Sequence, residues 1–265
     1  MTTRDMSEVA MIPTADQLAA AWFEATARLC DVSPANRWIA EHGDVRGFVN
    51  DTAVASLNAA LSMSLDPDLT SLDEMATRVG EAGVPWSIIV RGTASEAVVA
   101  LAARHGLRHA GEMPLLACAA EDALLWTGGR QRSEIHPVGS AGGDLYTDVL
   151  TAGFGAPEGA FGALMGGDVL DAPGVTGYLA EEAGQQVATG LGMSADGLIG
   201  VFNIAVAPWA RSRGLGRAIT ARVLVDGFAA GARTAYLHTS AAARPLYESM
   251  GFRLVETWTI FTEQE

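Results

Sequence analysis

Between Leu198 and Val206 nearly every side chain is apolar, with Asn203 the one strongly polar exception. An unbroken run of this kind suits a central strand covered on both faces. Before it, Val175–Ala180 and Gln186–Met193 read as a strand pair joined by Glu181-Glu182-Ala183-Gly184, a turn-like and solvated sequence, and Ser194-Ala195-Asp196-Gly197 supplies the next turn. Pro208 stops the central run. After it the apolar spacing predicts a helix over 214–228, a strand over 234–238, a second helix over 241–250 capped by Gly251, and a closing strand over 252–262. Upstream, 144–154 reads as a helix and the Gly/Ala-rich piece to Gly167 as another. Helix, three strands, helix, strand, helix, strand is the order of a mixed α/β domain.

The polar, glycine-bearing segment from Thr127 to Arg132 marks a linker or crossover, and Gly139 to Gly143 begins the next helical region. A boundary near residue 130 divides the chain into 1–130 and 131–265. The halves are related. Ala55–Leu61 aligns with Gly200–Val206 at an offset of 145, and the same offset aligns Leu101–Arg108 with Leu246–Arg253. Two separate segments sharing one offset indicate an internal repeat, imperfect around Ser87 to Arg91.

Composition narrows the chemistry. The 265 residues, 49% of them hydrophobic, are enough for a substantial core in one large or two ordinary domains. No apolar run approaches the roughly 18 residues of a membrane span, and Met1 to Ala10 lacks the order of a secretory signal. Cys30 and Cys118 alone make neither a disulfide framework nor a metal cluster; a reducing cytoplasm is the simplest location, with no metal expected. A formal charge of −14 argues against nucleic acid as a partner and favours attraction of cations, amines among them. Every basic residue is Arg, so no lysine is available as a Schiff-base former or general base.

The segment from Ile204 to Ala218 runs from a buried strand through a short loop into a helix. Gly214 and Gly216 let a ligand approach the backbone, and the first N–H groups of the helix have no partner within it. With the helix dipole these make an anion site, and Arg211, Arg213 and Arg217 are expected to surround it. A diphosphate ligand follows. The dinucleotide fingerprint fails for want of a third glycine, and the nucleoside-triphosphate loop for want of its Lys.

Arg211-x-x-Gly214-x-Gly216 resembles the acyl-CoA pyrophosphate loop of the GNAT superfamily of N-acetyltransferases, and Ala243-Arg244-Pro245-Leu246-Tyr247-Glu248-Ser249-Met250-Gly251-Phe252 resembles a second motif of that superfamily. The likeness covers about Ile135 to Phe261. It implies an acetyl-CoA donor, a primary amine acceptor (a small molecule or a protein N-terminus), and a mixed β-sheet flanked by helices. It implies that Arg211, Ser212, Arg213, Gly214, Leu215, Gly216 and Arg217 hold the pyrophosphate. It also implies that backbone groups of Ile204, Ala205 and Val206 pair with the pantetheine amides, one N–H stabilising the oxyanion. Tyr247 matches the residue that protonates the leaving thiolate. Ser240 stands where the family often has Asn, and with Ala243 belongs to the cofactor contacts. For the amine side the candidates are Asn203, which can orient the amine or a water, and His238, able to titrate near neutrality. A water chain with no dedicated base is the alternative.

The repeat then reads as two domains of related fold, as in tandem GNAT proteins, with a degenerate first copy. Where the second copy has Arg211 to Gly216, the first has Asp66-Pro67-Asp68-Leu69-Thr70-Ser71, and Tyr247 is matched by Ala102. Acids would repel a phosphate, so the first half is not expected to bind CoA. The expected activity is direct acetyl transfer to a primary amine. The rival is a catalytically inactive acyl-CoA sensor or partner-binding protein.

Overall fold

The computed structural model describes residues 12–125 and 133–263, so the segment read as a linker, Thr127 to Arg132, and the boundary near 130 lie outside the described residues. The first half runs α1 (Ala15–Val32), β1 (Asn36–His42), β2 (Val45–Asn50), β3 (Ala59–Ser62), α2 (Leu69–Gly80), β4 (Ser87–Val90), α3 (Glu96–Arg104) and β5 (His109–Ala119). The second runs β6 (Glu134–Val138), α4 (Gly143–Phe154), β7 (Val175–Glu182), β8 (Gln185–Ala195), β9 (Leu198–Val206), α5 (Leu215–Ala229), β10 (Thr234–His238), α6 (Arg244–Glu248) and β11 (Arg253–Thr262).

Most expected elements of the second half are found within a residue or two. Three are not. The Gly/Ala-rich piece is not a helix: 157–167 is a chain of turns followed by a short 3-10 turn at Val169–Asp171. Gly159 and Gly167 adopt φ of +77° and +59°, a left-handed backbone that a helix cannot contain. The helix expected over 241–250 is helical only from Arg244 to Glu248, because residues 241–243 form a turn ahead of Pro245. β6 carries Pro137 and was not anticipated; it is an edge strand, where a missing N–H is tolerated.

Among the described residues eleven strands form one sheet, ordered β1-β2-β3-β4-β11-β5-β10-β9-β8-β7-β6. The last strand of each half crosses into the territory of the other. β11 pairs with β4, β5 pairs with β10, and the two crossing strands pair antiparallel with each other. In that central ladder Met113 faces Trp258, and these residues are again 145 apart, so a local two-fold relation passes through them. Gly106 and Gly251, related by the same offset, both have positive φ (+82° and +98°), and Leu107 and Phe252 after them are both buried.

One face of the second half is covered by α5, with Ile199, Val201, Ile219, Val223, Leu237 and Tyr247 in a common core. The opposite face is covered by α4 and by α1. Helix α1 starts on a Thr14–Gln17 capping box, and it packs against β8 and β9 as well as β1. Among the described residues no helix is long and apolar enough to cross a membrane.

Candidate functional site

The second half opens where β9 and β10 part. Their parallel pairing holds from Leu198↔Thr234 to Gly200↔Tyr236 and ends there, while β9 continues to Val206 paired with β8. Asn203 marks an irregularity in that second ladder: it has φ of +51°, the β8–β9 register shifts beside it, and Thr189 Oγ1 donates to its carbonyl at 2.8 Å. A bulge of this kind re-aims the strand. Ile204, Ala205 and Val206 follow it, so the residues expected to meet the pantetheine lie in the stretch that has left β10.

The strand then enters the loop. Pro208–Ala210 is a 3-10 turn, Ser212 has φ of +61°, and Gly214, at φ +81°, precedes α5 with no side-chain cap. No atom lies within 4 Å of where a Gly214 Cβ would stand, so the space above the helix start is open. The backbone N–H groups from Ser212 to Arg217 have no backbone acceptor among the described residues. These donors and the helix dipole fit a diphosphate. Each arginine expected around the cradle is held by acceptors of the protein. Arg211 donates to the carbonyls of Val206 (3.4 Å) and Gly153 (2.7 Å), Arg213 pairs with Glu182 at 3.3 Å and donates to Trp209 O, and Arg217 bonds the Ser249 carbonyl and hydroxyl. In an acidic chain the nearest carbonyls and carboxylates compete for each guanidinium. Glu182, expected to be only solvated, is thereby tied to the loop, and Ser133 also donates to it.

Leu215 is buried and anchors α5, while a Cβ placed on Gly216 would stand at ordinary contact distance from Leu246 and Val206. Ser240 caps the turn before α6: its hydroxyl accepts from Ala243 N at 3.3 Å and its carbonyl from Ala243 and Arg244.

The three side chains expected to do chemistry fall on two sides of the sheet. Tyr247 lies in the core under α5, its ring against Phe252; burial pushes its hydroxyl up to about 12, with Thr220 the polar neighbour that opposes the shift. Thr220 Oγ1 itself has no hydrogen-bond partner. Asn203 and His238 are on the opposite, α1–α4 side. Asn203 Nδ2 lies 3.6 Å from Met165 Sδ and beside the buried Tyr146. His238 packs against Trp22 and Trp258. Its expected titration near neutrality is not met. Although part of the residue reaches the surface, Nε2 is enclosed, and burial pushes the imidazole down to about 4. It is neutral at pH 7.

Trp22, Tyr146 and Gly153 had no signal in the sequence. Their positions depend on α1 and α4 packing over β9, and a single chain offers no spacing that links them to the motif. Among the described residues no three His, Cys, Asp or Glu side chains converge.

Residues 173–254 match the family model of the acetyltransferase (GNAT) domain. Among solved structures, a GCN5-related N-acetyltransferase from Kribbella flavida is 20% identical with a TM-score of 0.68, covering 96% of this chain and 97% of its own. A GCN5-related N-acetyltransferase-like protein from Streptococcus suis is 10% identical (TM-score 0.60; 94% and 99% covered). A tandem GNAT protein from the clavulanic acid biosynthesis pathway is 11% identical (TM-score 0.53; 94% and 95% covered). At these identities the likeness is one of fold, and it extends over nearly the whole chain. No curated protein matches the sequence.

Proposed function

We propose that this chain, whose residues 173–254 match the acetyltransferase (GNAT) domain, moves an acetyl group from acetyl-CoA to a primary amine by direct attack, with the acetyl-CoA site and the reacting side chains in residues 131–265. The observation that carries this reading is a strand edge that opens after Gly200 and leads, through a short loop, into an uncapped glycine helix start. The freed stretch Ile204–Val206 is an edge for the pantetheine, and the N–H groups from Ser212 to Arg217 are donors for the pyrophosphate.

The amine nitrogen attacks the thioester carbonyl from the α1–α4 side, where Asn203 orients it and neutral His238 offers a lone pair. A backbone N–H of the freed β9 stretch receives the oxyanion; such a donor contributes about 2.7–4 kcal/mol. As the C–S bond breaks, Tyr247 protonates the thiolate from the α5 side and recovers a proton from water, while the amine loses one to water. No net proton is consumed between amine and thiol. Burial keeps Tyr247 protonated through the neutral range, as an acid requires.

The test is a thermal-shift titration of the full chain with acetyl-CoA, beside Gly214→Asp and Gly214→Asn. Asn and Asp both tolerate the left-handed backbone, so their difference isolates charge. Ligand at 100 times its dissociation constant stabilises the native state by about 2.7 kcal/mol. A saturable shift in wild type, weakened in the Asn variant and abolished in the Asp variant, is expected. No shift at millimolar ligand would overturn the reading and leave a partner-binding protein in its place. Turnover can be read as free thiol, because Cys30 and Cys118 are buried with their thiols pushed up to about 11.

A further inference from the structure

His238 and Trp258 stand on β10 and β11, the two strands flanking β5, opposite Leu115 and Met113 respectively. Their ring centroids are 4.4 Å apart, and Trp22 of α1 meets both edge-on at 5.4 Å. Three rings from three elements, drawn from both halves, thus form one nest. It lies on the side of the sheet that carries Asn203 and Phe202, and it begins just beyond the last β9–β10 pair.

Among the described residues, two polar atoms of the nest have no partner. His238 Nδ1 is 3.2 Å from the Met113 carbonyl, which can only accept, so Nδ1 carries the proton and Nε2 is a bare acceptor. Nε2 has no hydrogen-bond partner, and neither has the Trp258 indole Nε1–H, in a side chain that is fully buried. Buried polar groups are nearly always satisfied, and unsatisfied ones call for an explanation. One vacant acceptor and one vacant donor, on rings in contact, complement a molecule that presents an N–H and an oxygen close together. The nearest carboxylate on β11, Glu256, is held bidentately by Arg91 at 2.9 and 2.7 Å, and Asp16 pairs with the same guanidinium. Neither acid is left to receive an ammonium, which favours an amine bound in its neutral, nucleophilic form. His238, part of whose surface is exposed, is the member of the nest nearest solvent.

We infer that this nest seats the acyl acceptor, and that the acceptor is a primary amine with an aromatic or aliphatic body and a hydrogen-bond-accepting oxygen beside the amine carbon. His238 Nε2 receives the amine N–H, Trp258 Nε1–H binds the oxygen, and Trp22 covers the apolar body. This rests on the acyl-transfer reading above.

The probes are phenylalaninol and 2-phenylethylamine, which share the body and the amine and differ in the oxygen-bearing arm. With the full chain and acetyl-CoA, thiol release is expected to favour phenylalaninol by at least about tenfold in kcat/KM. Trp258→Phe is expected to bring that ratio close to one through KM, with the acetyl-CoA thermal shift unchanged. A ratio that survives Trp258→Phe, or no turnover of either amine by protein that binds acetyl-CoA, overturns the inference. Loss of the acetyl-CoA shift in wild type instead overturns the acyl-transfer reading. A readout independent of activity and of the variant's folding is the Trp258 indole N–H resonance in wild-type protein, assigned through its contacts to Met113 and His238. It is expected to move on titration with phenylalaninol and not with 2-phenylethylamine, and equal responses to both would overturn the assignment of the oxygen site.

Discussion

Helix α2 starts at Asp68, whose carboxylate accepts the Ser71 N–H at 2.7 Å, whereas α5 starts at Gly214 with no side-chain cap. The two helix starts occupy matching places in the repeat, and the contrast extends to the strands beside them. β3 and β4 pair over their whole length, Ala59↔Ser87 to Ser62↔Val90, while β9 and β10 part after Gly200. Asn58, the counterpart of Asn203, is fully buried and donates to the carbonyls of Thr52 and Pro85, stitching shut the place that Asn203 leaves as a bulge. A capped helix start and a closed strand pair leave no backbone donor or strand edge for a ligand; an uncapped start and an open pair form the candidate site. The same fold thus yields both, according to whether the backbone donors are satisfied from within.

The sharpest way to break this contrast is Tyr247→Phe. If the chemistry resides in the second half alone, kcat falls about 10²- to 10⁴-fold while the acetyl-CoA thermal shift is kept. Steady-state thiol release decides it, and unchanged kcat would remove Tyr247 as the acid. The next largest effect concerns how separable the halves are. The buried Arg91–Glu256 pair joins the end of β4 to the exchanged strand β11, so Glu256→Gln should cost about 1.5–3 kcal/mol, by weakening charge-assisted hydrogen bonds while Asp16 still faces the guanidinium. Denaturant unfolding of the variant should remain one transition with a lower midpoint; two transitions would mean that the halves melt apart.

A third prediction comes from His238. It gains a proton near 6.5 when unfolded and only near 4 when folded. Between those values the unfolded chain binds more protons, so stability falls as pH drops from about 6.5 to 4, by up to about 3 kcal/mol. His238→Leu should flatten that part of the pH–stability curve, measured by denaturant midpoints across the range. The smallest effect sharpens the comparison of helix starts. Asp68→Ala should lower the denaturant midpoint slightly, through loss of the N-cap, and create no second acetyl-CoA site, which calorimetric stoichiometry would reveal.

Much of the second half was legible in the order of residues. An apolar run ended by Pro208, a glycine pair opening a helix and a Tyr in a short helix before Gly251 are local signals, written in consecutive residues and realised by neighbours in the chain. The internal repeat was also readable, and the Met113–Trp258 pair places its axis. Where expectation and structure diverged, competition between distant groups was the cause. The arginines of the cradle turned to carbonyls and to Glu182, and the imidazole of His238 was enclosed by rings from α1 and β11.

Most elements of the second half, the loop and the repeat are written in local signals, because hydrophobic period, glycine and proline act over a few residues. Only the tertiary structure decided that the last strands of the halves change places, that α1 covers the second half's sheet, and that His238 and Trp258 meet. Strand partners are chosen by non-local hydrogen bonding and burial among residues more than a hundred positions apart, and no local pattern in one chain encodes that choice.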